Sequence, residues 1–167
     1  MGAVQDSFAE YVGARWATLY RLAVLLVGES RADDVAQAAL VRAYSSWDRV
    51  RDAASPDAYL RKILVNTAIS EGRRHRPTVP LLDELDVAAE SHESAVVDRD
   101  ALWSRIEALP PRQRAVIVLR YYEDFSEAEI ARTLGCAPGT VKAHAHAALK
   151  ALRVSVVESE TSVGRHG

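Results

Sequence analysis

The chain has 167 residues, with 21 Lys/Arg against 23 Asp/Glu and a formal net charge of −2. Its longest apolar run, LAVLLV at 22–27, is far shorter than the roughly 20 residues a membrane-crossing helix needs. No charged-then-apolar start reads as a signal peptide, so a cytoplasmic protein with no membrane partner is expected. A single cysteine, Cys136, excludes an internal disulfide and a cysteine-based metal site, and is expected to be a small buried apolar residue.

The periodicity predicts an all-α chain. Phe8, Tyr11, Val12, Leu19, Leu22 and Leu26 form the stripe of a first helix that ends near Gly28. Ser30 is the expected cap of a second helix with the stripe Val35, Ala39, Leu40, Ala43, Tyr44 and Trp47. Ser55-Pro56 opens a third, with Tyr59, Leu60, Ile63, Leu64 and Thr67 inward. These three helices close an N-terminal domain, residues 1–76. Pro77, Pro80 and the acids Asp83, Glu84, Asp86 and Glu90 mark a linker at 77–92. Residues 77–100 hold seven acids and one base, between two mildly basic blocks.

A four-helix second domain is predicted over 93–153, followed by a frayed polar tail at 154–167. Its first helix runs from Glu93 to Ala108, and Pro110-Pro111 stops it and starts the next. Residues 125–152, FSEAEIARTLGCAPGTVKAHAHAALKAL, read as a helix-turn-helix. Ser126 and Glu129 make a capping box, and Gly135 ends the first short helix where a left-handed backbone suits glycine. Pro138 fits the first turn of the next helix. Val141, Ala145, Ala148 and Leu152 then face inward, leaving Lys142, Ala143, His146, Ala147 and Lys150 outward, where a recognition helix meets the major groove.

The third helix is the most basic segment, with Arg61, Lys62, Arg73, Arg74 and Arg76 around Asn66. Cations hold phosphates, an amide reads a base edge, and Tyr59 offers a stacking face. The same cations equally suit a solvated helix C-terminus. Asp33-Asp34 and Gln37 stabilise the start of the second helix or face a basic partner. His144 and His146, two apart on a helix, point away from each other and do not converge on a metal. No nucleophilic triad, phosphate loop or inward carboxylate pair stands out, so neither an enzyme nor a cofactor is expected.

Three segments in order, DDVAQAALVRAYSSWDRV (33–50), SPDAYLRKILVNTAISEGRR (55–74) and LPPRQRAVIVLRYYEDFSEAEIARTLGCAPGTVKAHAHAALKALR (109–153), resemble the extracytoplasmic-function sigma factors, the smallest class of the sigma-70 family. The resemblance covers about residues 6–153. It implies promoter-specific initiation with core RNA polymerase and promoter DNA as partners, and an anti-sigma factor as a further class of partner. The first domain would dock on the clamp helices of the largest catalytic subunit through Asp34, Gln37 and Arg42, and the second on the flap of the second-largest subunit. The loop Arg49 to Pro56 and then Tyr59, Arg61, Lys62 and Asn66 would melt and read the −10 element.

By the same resemblance, Arg120, Glu127, Thr140, Lys142 and His146 would bind the −35 duplex, and the acidic linker would thread the nucleic-acid channel. The chain departs from the family pattern at Ala38, where an acid is usual, and at Ser70. It also departs at Ala143, His144 and Ala147, where Ser and two Arg are common, which predicts a weak −35 contribution. Two rival readings remain at this stage. One is a LuxR-type helix-turn-helix regulator that binds operators without polymerase. The other is a helical adaptor that uses the fold only for protein binding.

Overall fold

The structure is a computed structural model that describes residues 2–75 and 97–163. Among them, every regular element is a helix: α1 (Gly2–Val27), α2 (Glu29–Ser45), α3 (Trp47–Asp52), α4 (Pro56–His75), α5 (Val97–Ala108), α6 (Pro111–Tyr121), α7 (Glu127–Leu134) and α8 (Pro138–Val163). Two helical domains result, α1–α4 and α5–α8. The expected linker at 77–92, and Arg76 with it, lie outside the described residues.

The N-terminal half has four described helices where three were expected. The second expected helix divides because α2 stops at Ser45, where the Ser46 N–H turns back onto the carbonyls of Arg42 and Ala43. A six-residue helix, α3, then carries the buried Trp47 and Val50. Most of the presumed loop Arg49 to Pro56 is therefore helical, and only 53–55 is irregular. Ser30 is not the cap of α2. The N-cap is Gly28 at φ 86, with no side-chain capping bond, because the chain reverses directly out of α1 and only a glycine tolerates that backbone cheaply. Ser55 does cap α4, its Oγ accepting from the Ala58 N–H at 3.3 Å.

In the C-terminal half, Pro110 is the N-cap of α6 and Pro111 its first residue. The Ser126–Glu129 capping box is complete in both directions, and Gly135 closes α7 at φ 66. Helix α8 continues to Val163, so the expected tail is helical for most of its length. Tyr44, assigned to the inward stripe of the second helix, is exposed instead, as are Leu102 and Tyr121. Cys136 is half-buried against the core.

The core is continuous across the two halves. One buried cluster includes Leu22 and Leu26 of α1, Leu60 and Leu64 of α4, Val116 and Leu119 of α6, Ile130 of α7 and Val141 of α8. A smaller one, with Ile106, Leu109, Ile117, Ala148 and Leu152, belongs to the C-terminal half alone. Helix α6 explains the continuity. Its residues Arg114 to Leu119 are all buried, as expected of a helix covered on more than one side. It packs on α7 and α8 within its own half and on α1 and α4 of the other.

Candidate nucleic-acid interface

Helix α4 places Tyr59, Lys62, Asn66 and Arg73 three, four and seven residues apart, on one face. Lys62, Arg73 and Arg74 are exposed, and Tyr59 is half-buried. Arg74 Nη1 lies 4.0 Å from Glu71 Oε1. Two of the expected contacts point into the molecule. Asn66 Nδ2 donates to the carbonyl of Lys62 at 2.8 Å and to the carbonyl of Thr133, in α7, at 3.1 Å. The Arg61 guanidinium carbon sits 4.8 Å from the centre of the Phe125 ring.

Beside the start of α4 lies a cleft of about 400 Å³ between α1, α3 and Pro56, lined by Glu10, Tyr11, Arg15, Trp47 and Arg51 among others. The Trp47 indole N–H is buried there without a partner. Sequence reasoning missed the cluster at its edge, because its members are far apart in the chain. Asp57 accepts from Tyr11 Oη and from Arg15 Nε. The Tyr11 hydroxyl, and after it Arg15, hold the Asp57 carboxyl below the ordinary carboxylate value of 3.8. Burial, and then Asp57, push the Tyr11 phenol up to about 12.

These shifts set a pH window. The depressed Asp57 stabilises the fold above its unfolded value and loses that contribution as pH falls through its folded one. The raised Tyr11 contributes below its unfolded value of 10.0 and loses it as pH climbs toward about 12. The melting temperature should therefore fall at both ends of a pH series. Asp57→Asn should flatten the acid limb, and an acid limb as steep as the wild type's would remove Asp57 from this role.

On the opposite half, Glu127 draws two cations together. Its Oε1 is 3.4 Å from Arg120 Nη1 and its Oε2 is 3.8 Å from Lys142 Nζ, so residues from α6, α7 and α8 meet at one surface point. Thr140, Lys142, His146 and Lys150 are exposed on α8, as are Ala143 and Ala147. His144 is turned partly inward. Burial, and then Arg112, keep it below the ordinary imidazole value of 6.5, which disfavours the charged form that would attract a phosphate.

Helix α2 presents Asp34, Gln37, Val41 and Tyr44 outward. Gln37 Nε2 donates to Asp33 Oδ2 at 2.9 Å. Arg42 is exposed, and its Nη1 donates to Thr67 Oγ1 of α4 at 2.9 Å, which links α2 to α4. Among the described residues, no group of His, Cys, Asp or Glu is placed to hold a metal ion, and no helix is long and apolar enough to cross a membrane.

Residues 8–78 match the family model for sigma-70 region 2, and residues 99–152 the one for sigma-70 region 4. The chain is 39% identical to an RNA polymerase sigma-E factor of Streptomyces coelicolor, over 94% of this chain and 89% of the relative. The chain belongs to the sigma-70 family. It falls in the extracytoplasmic-function class of sigma factors. It is also 36% identical to the factor SigL of Mycobacterium tuberculosis, over 85% of this chain and 84% of that one. The sigma factor RpoE of Bartonella quintana, solved in complex with the anti-sigma factor NepR, shares its fold. That match has a TM-score of 0.64 at 23% identity, covering 90% of this chain and 97% of that one. With a region 2 match over the N-terminal half, the LuxR-type and adaptor readings are set aside.

Proposed function

We propose that this sigma factor directs promoter-specific initiation with labour divided between its two helical surfaces. Helix α2 docks on the clamp helices of the largest polymerase subunit through Asp34, Gln37 and Arg42, joined by the exposed Val41 and Tyr44. The second domain seats on the flap. Helix α4 reads the opened −10 strand: Arg61, Lys62, Arg73, Arg74 and Arg76 attract phosphates, Tyr59 stacks, and Asn66 reads a base edge. Arg120, Glu127, Thr140, Lys142, His146 and Lys150 hold the −35 duplex, and the acidic segment 77–92 follows the nucleic-acid channel. The domain boundaries 1–76 and 93–153 follow from this division.

The observation that carries the reading is the face of α4, where an aromatic, cations and an amide recur at helical spacing beside an open cleft. Opening and extruding a base costs a few kcal/mol. A stacked base returns about 1–3 kcal/mol, so aromatic and phosphate contacts together suffice. The chain supplies binding energy and performs no covalent step.

The test is run-off transcription with core polymerase and Asn66→Ala. A single lost base contact is worth about 1–3 kcal/mol, so transcription from cognate promoters should drop by about 5- to 100-fold. Preference at one −10 position should relax, while polymerase affinity stays within about twofold. Unchanged −10 preference would exclude Asn66 as a reader.

A further inference from the structure

Two buried arginine nitrogens beside the turn between α1 and α2 have no partner. Arg114 of α6 is 7% exposed, and its Nε donates to the carbonyl of Leu25, near the end of α1, at 2.9 Å. That bond fixes the guanidinium close to the Gly28 reversal. Its Nη2 is buried without a hydrogen bond. Arg31 stands just past the reversal, in the first turn of α2, and is half-buried. Its Nη2 is likewise buried without a hydrogen bond. Among the described residues, neither guanidinium has a carboxylate within ion-pair distance. Burial disfavours the charged form of Arg114, Glu107 favours it from beyond that distance, and Arg31 disfavours it again.

Two neighbouring cations, each with an unsatisfied buried donor, are costly. A well-packed neutral side chain at position 114 would cost less, since buried charge is often replaced without loss of stability. Unpartnered buried donors of this kind point to a ligand that they serve. A water molecule could accept from one nitrogen, but it would leave two positive charges side by side. An anion offsets both.

We propose that Arg31 and Arg114 form a binding site for a small phosphate-bearing molecule, one phosphate group bridging the two guanidinium groups at the α1–α2 turn. The planar fork of each guanidinium matches the oxygens of a tetrahedral anion. A terminal phosphate has enough oxygens for both forks and up to two charges for two cations, whereas a carboxylate or a phosphodiester brings one. The start of α2 adds partial positive charge. Its N-cap, Gly28, has no side chain to cap that end, and Glu29 of the same turn is exposed. The Trp103 ring, its centre 5.5 Å from the Arg114 guanidinium carbon, backs the site on the α5 side. Arg31 is only half-buried, so the phosphate enters from its side.

The test is isothermal titration of the full chain with inorganic phosphate, pyrophosphate and a mononucleotide, at fixed ionic strength in a chloride buffer. At least one of them should bind saturably at a single site per chain, and the ranking of the three identifies the source of the phosphate. Arg31→Gln and Arg114→Gln should each weaken that binding by about tenfold or more. Arg31→Lys, which keeps the charge without the fork, should recover part of the loss. Arg21→Gln, on the exposed face of α1, should stay within about twofold.

Thermal melts give a second readout. At about ten times its dissociation constant the ligand should raise the melting temperature by about 3–5 °C. The rise should level off, unlike the general effect of phosphate and sulfate on protein stability, which keeps growing with concentration. Arg31→Gln removes a like charge from beside Arg114 and breaks no ion pair among the described residues. In chloride it should melt at or above the wild-type temperature, and in saturating ligand below it. That crossover keeps the test decisive where Arg114→Gln folds poorly. No saturable binding of any of the three ligands, undiminished affinity in Arg31→Gln, or an equal loss in Arg21→Gln would each overturn the proposal. So would a short single-stranded oligonucleotide that alone loses affinity in Arg31→Gln, since the two arginines would then belong to the nucleic-acid surface.

Discussion

Leu119→Ala should unfold both halves of the molecule together, at a cost of about 2–5 kcal/mol. Leu119 is fully buried, in the cluster that runs from α1 through α4 and α6 to α8. Removing its isobutyl group loses the transfer free energy of those carbons and leaves a cavity that tightly packed helices fill only in part. The informative point is where the loss is felt. Trp47 reports on the N-terminal half, packed against the Phe8 and Tyr11 rings at 5.2 and 5.3 Å. Trp103 reports on the C-terminal half, with Tyr122 at 5.9 Å. In single-tryptophan versions of the chain, urea transitions followed at the two sites should coincide, as two-state behaviour requires. Both midpoints should fall together in Leu119→Ala. A drop confined to Trp103 would mean that the buried cluster is continuous in space but not in energy. Gly72→Gln should produce that separation deliberately, because an added Cβ would meet the Pro111 Cγ at 2.9 Å and drive α4 and α6 apart.

The local signals in the sequence translated well where the chain speaks to its near neighbours. The capping box at Ser126–Glu129, the Gly135 turn and the Pro110-Pro111 break each involve residues within four positions, and each is where the pattern put it. Ser30 failed as a cap because the tertiary reversal at Gly28 decides where α2 starts. Helix α3 was missed because Trp47 and Val50 continue the inward spacing of α2, and only the Ser46 turn separates them. Tyr44 looked like a core residue by its spacing, yet its ring packs edge-on against Phe8 at 5.1 Å with its other side in solvent.

The contacts between the domains were invisible for a different reason. Asn66 and Thr133 are 67 residues apart, and a helix-end carbonyl announces a need for a donor without naming one. Arg114 left a faint trace: it follows Arg112 and Gln113 and directly adjoins the apolar run AVIVL at 115–119. A charge at that register asks for a buried partner, and α1 supplies it.

The largest gain of function should come from restoring cations to α8. Ala143 and Ala147 are exposed on the outer side of the helix that carries Thr140, Lys142, His146 and Lys150. Arg120 and Lys142 are both engaged with Glu127, and His144 is partly inward, where burial disfavours its charged form. The native face therefore brings little unpaired positive charge to a duplex. Each added phosphate contact releases counterions and steepens the dependence of log affinity on log salt by about 0.9. Ala143→Arg with Ala147→Arg should then tighten binding of the holoenzyme to −35-bearing duplex by about 10- to 100-fold at 0.1 M salt. The salt slope should grow by nearly two, and the gain should fade as salt rises. The substitutions replace alanine by another good helix former, so stability should hold within about 0.5 kcal/mol. Fluorescence anisotropy on a duplex ending upstream of the −10 element isolates this half of the promoter. A tighter complex with an unchanged salt slope would mean the new arginines touch bases or protein rather than phosphates. No gain at any salt would show that this face of α8 does not meet the groove, and would move the −35 contact toward the cluster centred on Glu127.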